Sequence, residues 1–315
     1  MGNAKGIDIV GQNGDSTPGD SSSSSPTRPE GPSREVLSGV GDTATPHPEL
    51  CAQVIALDSL GVSRGAKSPN GFRQLPLFVR EESRLVFKTD PDGLAAEQFR
   101  LLRQTLKQEY PTGAVLLITS PGMGDGKTLN SVNLSSSLAD SDLSTLLVEM
   151  DLRRPKIHEI LGRRIEPPGL EDALAGKVEP DRAVHWINEL NLHVAMVAKI
   201  PENPCHLISG VKHFLEWARK HFLWIVLDAP PVLPTADVLE LLTSADAAVL
   251  VVRAQSTPRE FSKRAIEMLG NRLRGVIFNE VTVDSNPQYR YLSDYSQSSD
   301  AKSGQSRSDK RSKSK

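Results

Sequence analysis

Ser120-Pro121-Gly122-Met123-Gly124-Asp125-Gly126-Lys127-Thr128 is a glycine turn that ends in a lysine and a hydroxyl. An unbroken apolar run, Ala114-Val115-Leu116-Leu117-Ile118, precedes it, and a helical pattern follows. Glycines let the backbone curl so that its N–H groups point inward, and the helix behind adds its positive end. That combination binds phosphate. The residues expected to wrap it are Gly122, Gly124, Asp125, Gly126, Lys127 and Thr128. Lys127 would reach the outer phosphates of a nucleotide, and the Thr128 hydroxyl would sit on Mg2+. The strict spacing G-x-x-x-x-G-K-[ST] fails at one place, because Pro121 holds its first position.

Carboxylates end two further apolar runs. One reads Leu146-Leu147-Val148-Glu149-Met150-Asp151, and the other Ile225-Val226-Leu227-Asp228. Residues two apart in a strand share a face, so Glu149 and Asp151 are both expected to look toward the phosphates. Mg2+ takes oxygen ligands and keeps several waters, so one or two carboxylates suffice. Thr128, Asp228 and Asp151 are the candidate metal ligands. Lys127, Asp151, Glu149 and Asp228 are the candidate catalytic set, with ATP and Mg2+ as the implied cofactors. No histidine has metal-ligand spacing.

These groups must be held by a sheet. Strand-like runs occur at 113–119, 144–149, 191–198, 223–228, 246–253 and 274–280. Helix-like segments fill 126–140, 155–162, 204–222, 235–243 and 257–270. Continuous Val/Ile/Leu runs indicate strands buried on both faces. Strand–helix alternation predicts an α/β fold with a mainly parallel central sheet flanked by helices. In such sheets ligands bind at the carboxyl ends of the strands, where the motif residues fall.

The rest of the composition narrows the classes. Of 315 residues, 38% are hydrophobic and 24% charged, so part of the chain is expected to stay out of any core. The net charge of −2 excludes a basic nucleic-acid coat. Two cysteines exclude a disulfide framework and a Cys-built zinc site, and fit a reducing compartment. No apolar run approaches the ~20 residues of a membrane span. Met1-Gly2 opens like a myristoylation signal, but Gly6 stands where Ser or Thr is needed. Residues 1–82 carry a serine run at Ser21–Ser25 and many glycines and prolines, and are expected to be disordered. The expected domain is 83–288, followed by a disordered tail, 289–315. That tail has a basic end: Lys302, Arg307, Lys310, Arg311, Lys313 and Lys315 face only Asp300 and Asp309. Tyr289, Tyr291 and Tyr295 crowd into the polar start of the tail, which suggests exposed hydroxyls.

Over about 84–295 these pieces, in this order, are similar to the bacterial tyrosine kinases of capsule and exopolysaccharide loci. Those are P-loop NTPases of the MinD/ParA-related branch. MinD/ParA-type cousins carry a lysine where Gly122 stands, which favours the kinase branch. The resemblance implies an ATP-dependent autokinase that regulates polysaccharide synthesis or export. Tyr289, Tyr291 and Tyr295 would be its targets, presented to a neighbouring subunit. Glu97-x-x-Arg100-x-x-Arg103, in a helix that Asp90-Pro91 could start, would join subunits into a ring. Asn279 resembles an adenine-side asparagine. A separate transmembrane polysaccharide co-polymerase would be the activating partner of a cytoplasmic kinase held at the inner face of the membrane. Other proteins of polysaccharide synthesis would be its external substrates. Two departures stand out: Glu149 replaces the family's usual Asp, and the tyrosine cluster is sparse. A MinD/ParA-like ATPase switch and a nucleotide-binding scaffold without kinase activity remain the alternative classes.

Overall fold

The computed structural model describes residues 5–11, 71–79, 84–141 and 143–282. The chain divides into two units, and the smaller, 13–64, lies outside the described residues. In the larger unit the strands are β1 Lys5–Gly11, β2 Arg73–Gln74, β3 Ala114–Thr119, β4 Thr145–Glu149 and β5 Val184–Ile187. They continue as β6 Leu192–Ala195, β7 Trp224–Asp228, β8 Ala247–Arg253 and β9 Leu273–Thr282. The helices are α1 Val86–Thr89, α2 Leu94–Glu109, α3 Lys127–Asp140, α4 Ile157–Ile160 and α5 Leu170–Leu174. After them come α6 Pro204–Ile208, α7 Val211–Ala218, α8 Asp237–Ser244 and α9 Arg259–Leu269.

All nine strands form one sheet in the order β1-β9-β8-β3-β7-β4-β6-β5-β2. The centre, from β9 to β6, is parallel; β1 runs antiparallel to β9 and β5 antiparallel to β6, while β2 runs parallel to β5. Each central strand is buried along its length because both faces are covered. Val115, Leu117, Leu146, Val148, Ile225 and Leu227 pack on one side with α5, α7, α8 and α9. Leu116, Ile118, Leu147 and Val226 pack on the other with α2, α3 and α4. The period-2 alternation of strands thus splits one apolar run between two cores. After β3 the chain passes through α3 to β4, and β7 fills the place between them. Three strand ends are thereby brought side by side.

Several expectations change. Two stretches of the region read as disordered belong to this unit. β1 pairs with β9, and Phe72, Leu75 and Leu77 around β2 are buried. Composition averaged over 82 residues hides two short sheet-forming pieces. The segment 204–222 is two helices, α6 and α7. A Cβ at Gly210 between them would lie 2.0 Å from the Leu174 carbonyl oxygen. α2 begins at Leu94 after Gly93, not at Asp90-Pro91, because Asp90 instead closes α1. β5 gives little strand signal in the sequence, since Val184-His185-Trp186-Ile187 is only four residues long and is broken by His185.

His185 and His193 are buried on β5 and β6. The His193 ring lies 5.1 Å from Phe72 and 5.0 Å from Phe222. Burial depresses both imidazoles to about 4, and Arg73 adds to the effect on His185. Below the unfolded value near 6.5, the unfolded chain takes up protons that the folded chain refuses. The stability these residues permit is therefore complete above pH ~6.5 and falls toward pH 4, by at most ~1.4 kcal/mol per pH unit for each. Urea midpoints measured from pH 7 to pH 5 should drop accordingly. His193→Phe, which keeps a ring against Phe72 and Phe222, should remove one of the two imidazole contributions to that drop.

Candidate functional site

The site lies at the carboxyl ends of β3, β7 and β4. β3 ends at Thr119, whose hydroxyl donates to the Pro230 carbonyl (2.7 Å) and ties the glycine turn to the segment after β7. Gly124 and Gly126 have φ of +86° and +95°, a region that side chains rarely tolerate. At Gly126 a Cβ would also stand 2.1 Å from the Asn279 amide nitrogen. Asp125 is buried and acts as a strut. One carboxylate oxygen accepts from the Gly122 N–H (3.0 Å) and the other from the Thr257 hydroxyl (2.7 Å). The Gly122 N–H is thus used within the loop, not free for a phosphate.

Asn279, the residue expected on the adenine side, contacts the glycine turn itself. Its amide donates to the Asp125 carbonyl (3.0 Å), so it braces the glycine turn from behind. The cause is a bulge in β9. Gly6 pairs with Val281 and Asp8 with Phe278, so one residue of β1 opposes Asn279 and Glu280 together. Glu280 absorbs the extra residue at φ +59°. Bulges re-aim side chains next to sites, and this one turns Asn279 onto the loop. Glu280 forms ion pairs with Arg84 (2.6 Å) and with Arg253 at the end of β8.

Lys127 opens α3. Its ammonium lies 2.8 Å from Asp151 and donates to the Thr128 hydroxyl at 3.3 Å. Burial pushes its pKa down, but Asp228 and Asp151 outweigh that and hold it above the ordinary lysine value. Asp228, fully buried at the end of β7, accepts from the Ser131 hydroxyl through Oδ1 (3.0 Å). Its Oδ2 has no hydrogen-bond partner among the described residues. Burial lifts this carboxyl above its usual range, against the pull of Lys127. A buried carboxylate oxygen left bare beside a lysine and a threonine hydroxyl is the mark of a missing cation or water. These residues therefore fit Mg2+ held with a nucleotide. Among the described residues no cluster of three or more His, Cys, Asp or Glu offers an all-protein metal cage.

Glu149 does not look toward the phosphates. Oε1 accepts from the Ile157 N–H (2.8 Å) and Oε2 from the Val197 N–H (3.0 Å). Burial raises it to about 7, against the pull of those two N–H groups. β4 ends at Glu149, so strand alternation no longer relates it to Asp151, which sits in the turn beyond. Its carboxylate joins the start of α4 to the loop after β6, and only Asp151 reaches Lys127.

The three charged residues of α2 also separate. Glu97 and Arg100 pair at 2.5 Å near the surface. Arg103 is buried, donates to the Ser137 carbonyl (2.6 Å) and lies 3.5 Å from Asp140. Six residues turn a helix by 600°, so Arg103 sits about 120° around from Glu97. It therefore faces the end of α3, where a cation is favoured, and not the outer surface. Tyr289, Tyr291 and Tyr295 lie outside the described residues. Ser131, Asn130 and Thr257 were missed in the sequence. Polar residues in the first turn of an otherwise buried helix signal the first two. Thr257 lies four residues beyond β8, past the carboxyl end of a strand, where such sheets place ligand-binding residues.

Among known proteins, the tyrosine-protein kinase YwqD of Bacillus subtilis is 30% identical over 219 residues, which cover 67% of this chain and 92% of YwqD. The tyrosine-protein kinase Etk of Escherichia coli is 30% identical over 209 residues, 64% of this chain but 29% of Etk. Of the solved structures, the kinase domain of Escherichia coli ETK superposes with a TM-score of 0.60 at 27% identity, covering 64% of this chain and 82% of that domain. The BceF tyrosine kinase domain gives 0.57 at 27%, covering 67% of this chain and 85% of that domain. No protein-family model matches.

Proposed function

Because the chain belongs to the bacterial tyrosine-kinase family, we propose that its site transfers the terminal phosphoryl group of ATP to tyrosines in the tail of a neighbouring copy. The observation that carries this reading is the meeting of Lys127, Asp151 and the bare oxygen of Asp228 at one glycine turn. Thr128 and Asp228 would hold Mg2+, which supplies charge neutralisation on the phosphates. Backbone N–H groups of the turn and the start of α3 bind and orient them. Lys127 exchanges its contact with Asp151 for the outer phosphates. Asp151 is thereby released to accept the proton of the incoming phenol, whose ordinary pKa near 10 makes it a poor nucleophile unaided. The phenol oxygen gains the phosphoryl group, the proton goes to Asp151, and ADP leaves.

Tyr289, Tyr291 and Tyr295 are the acceptors in this reading. Assembly would use the outer face of α2, with Glu97 and Arg100; the buried Arg103 supports α3 instead. No helix among the described residues is long and apolar enough to cross a membrane. A transmembrane polysaccharide co-polymerase in a separate chain would bring the kinase to the inner face of the membrane. Relatives named for capsule regions, such as the kinase of the Klebsiella pneumoniae cps region, support a place in polysaccharide synthesis.

The test is incubation of the full chain with Mg-ATP, followed by detection of phosphotyrosine. Phosphotyrosine should appear, and should be lost when Tyr289, Tyr291 and Tyr295 are all changed to Phe. Persistence in the triple variant overturns the tail assignment. ATP hydrolysis with no phosphotyrosine indicates a switch, and nucleotide binding with no turnover a scaffold.

A further inference from the structure

α3 carries serines at 131, 135, 136 and 137 in a helix that is almost wholly buried. Ser135 and Ser136 spend their hydroxyls on the carbonyl four residues back, at 2.7 and 2.8 Å. Such back-bonding is the usual fate of a buried helical serine. Ser131 differs. Its oxygen lies 2.9 Å from the Lys127 carbonyl and 3.0 Å from Asp228 Oδ1. The hydroxyl has one proton, and an ionised Asp228 makes both of those atoms acceptors. Asp228 is fully buried, and besides Ser131 the Thr128 side chain also bears on its carboxylate. Its other oxygen is bare.

We infer that Ser131 is a positioning residue for the metal site: by donating to Oδ1 it fixes the rotation of the Asp228 carboxylate, so that Oδ2 is the oxygen offered to Mg2+. This rests on the reading of the site as one for Mg-nucleotide. Ser131 touches neither nucleotide nor metal in this account. It acts because a carboxylate with one oxygen pinned has a single orientation, whereas an unpinned one can turn both oxygens away from the cation.

The experiment measures binding of a fluorescent ADP analogue to the full chain as Mg2+ is titrated, and again in EDTA. Ser131→Ala should raise the Mg2+ concentration for half-maximal enhancement about tenfold, in line with the loss of one hydrogen bond to a charged group. Affinity in EDTA should stay within about twofold, because the glycine turn and Lys127 remain. Ser131→Thr, which keeps the hydroxyl, should restore the wild-type Mg2+ dependence. An unchanged Mg2+ dependence in Ser131→Ala overturns the inference. So does an equal loss of binding with and without Mg2+, which would mark a merely structural serine. If the wild-type chain itself shows no Mg2+ enhancement, the nucleotide reading fails instead.

Discussion

Lys127→Ala is expected to lower phosphotyrosine formation by roughly 10²–10³-fold, the usual effect of losing one preorganised charge partner in a transition state. The residue is committed twice in this structure. Without nucleotide it neutralises Asp151 at 2.8 Å and sits beside the buried Asp228. In the proposed reaction it turns to the phosphates. The two roles can be separated. Asp151→Asn removes the competitor for Lys127 but keeps its shape. Nucleotide affinity should then hold or rise, while the transfer rate falls by about 10²-fold or more for want of a proton acceptor. Radioactive phosphate incorporation and analogue binding on the same preparations decide it. If Lys127→Ala keeps a tenth of its activity, Lys127 is not at the reacting phosphate. If Asp151→Asn transfers normally, the proton goes elsewhere.

The second large effect concerns stability and falls on Glu149. Both of its oxygens accept from buried backbone N–H groups, those of Ile157 and Val197. Glu149→Ala leaves two such donors without a partner, at ~1–3 kcal/mol each, so a loss of about 2–6 kcal/mol is expected in urea unfolding. Glu149→Asp restores the acid usual in the family but shortens the side chain by one methylene. It should reach at most one of the two donors and lose about 1–3 kcal/mol. A Glu149→Asp protein as stable as the wild type, with faster phosphorylation, would show instead that Glu149 is an impaired catalytic acid.

Glu149 also has a pH signature opposite to that of the histidines. Its folded pKa of about 7 stands above the ordinary glutamate value. The folded chain therefore holds a proton that the unfolded chain has released. Its contribution is fully present below about pH 4.5 and is lost as pH rises through 7. Between those limits it offsets one of the two buried imidazoles. Glu149→Gln removes that offset, so the fall in stability from pH 7 to pH 5 should be steeper in this variant than in the wild type.

Much of the architecture was legible in the residues. Unbroken Val/Ile/Leu runs alternating with helical patterns could bury themselves only in a covered parallel sheet. The central strands β3, β4, β7, β8 and β9 lie within a few residues of where those runs placed them. The glycine turn was legible as well, because Gly124 and Gly126 adopt backbone angles that few other residues accept. Asp228 could be found because a carboxylate that ends a wholly apolar strand has few bland explanations.

What stayed hidden depends on contacts between residues far apart in the chain. Local periodicity says which way a side chain leaves its own element, but not what it meets there. Glu149 meets backbone donors 8 and 48 residues away. Asn279 meets the glycine turn 154 residues away, through a bulge that exists only because β1 pairs with β9. Arg103 meets the end of α3, and no spacing rule within α2 could say so. The sequence by itself determined that phosphate chemistry would lie at the ends of buried parallel strands, since glycine backbone freedom and apolar burial are local properties. Only tertiary packing decided which acid faces Lys127 and which braces a loop, because a buried carboxylate goes to whichever donors the surrounding backbone leaves unpaired.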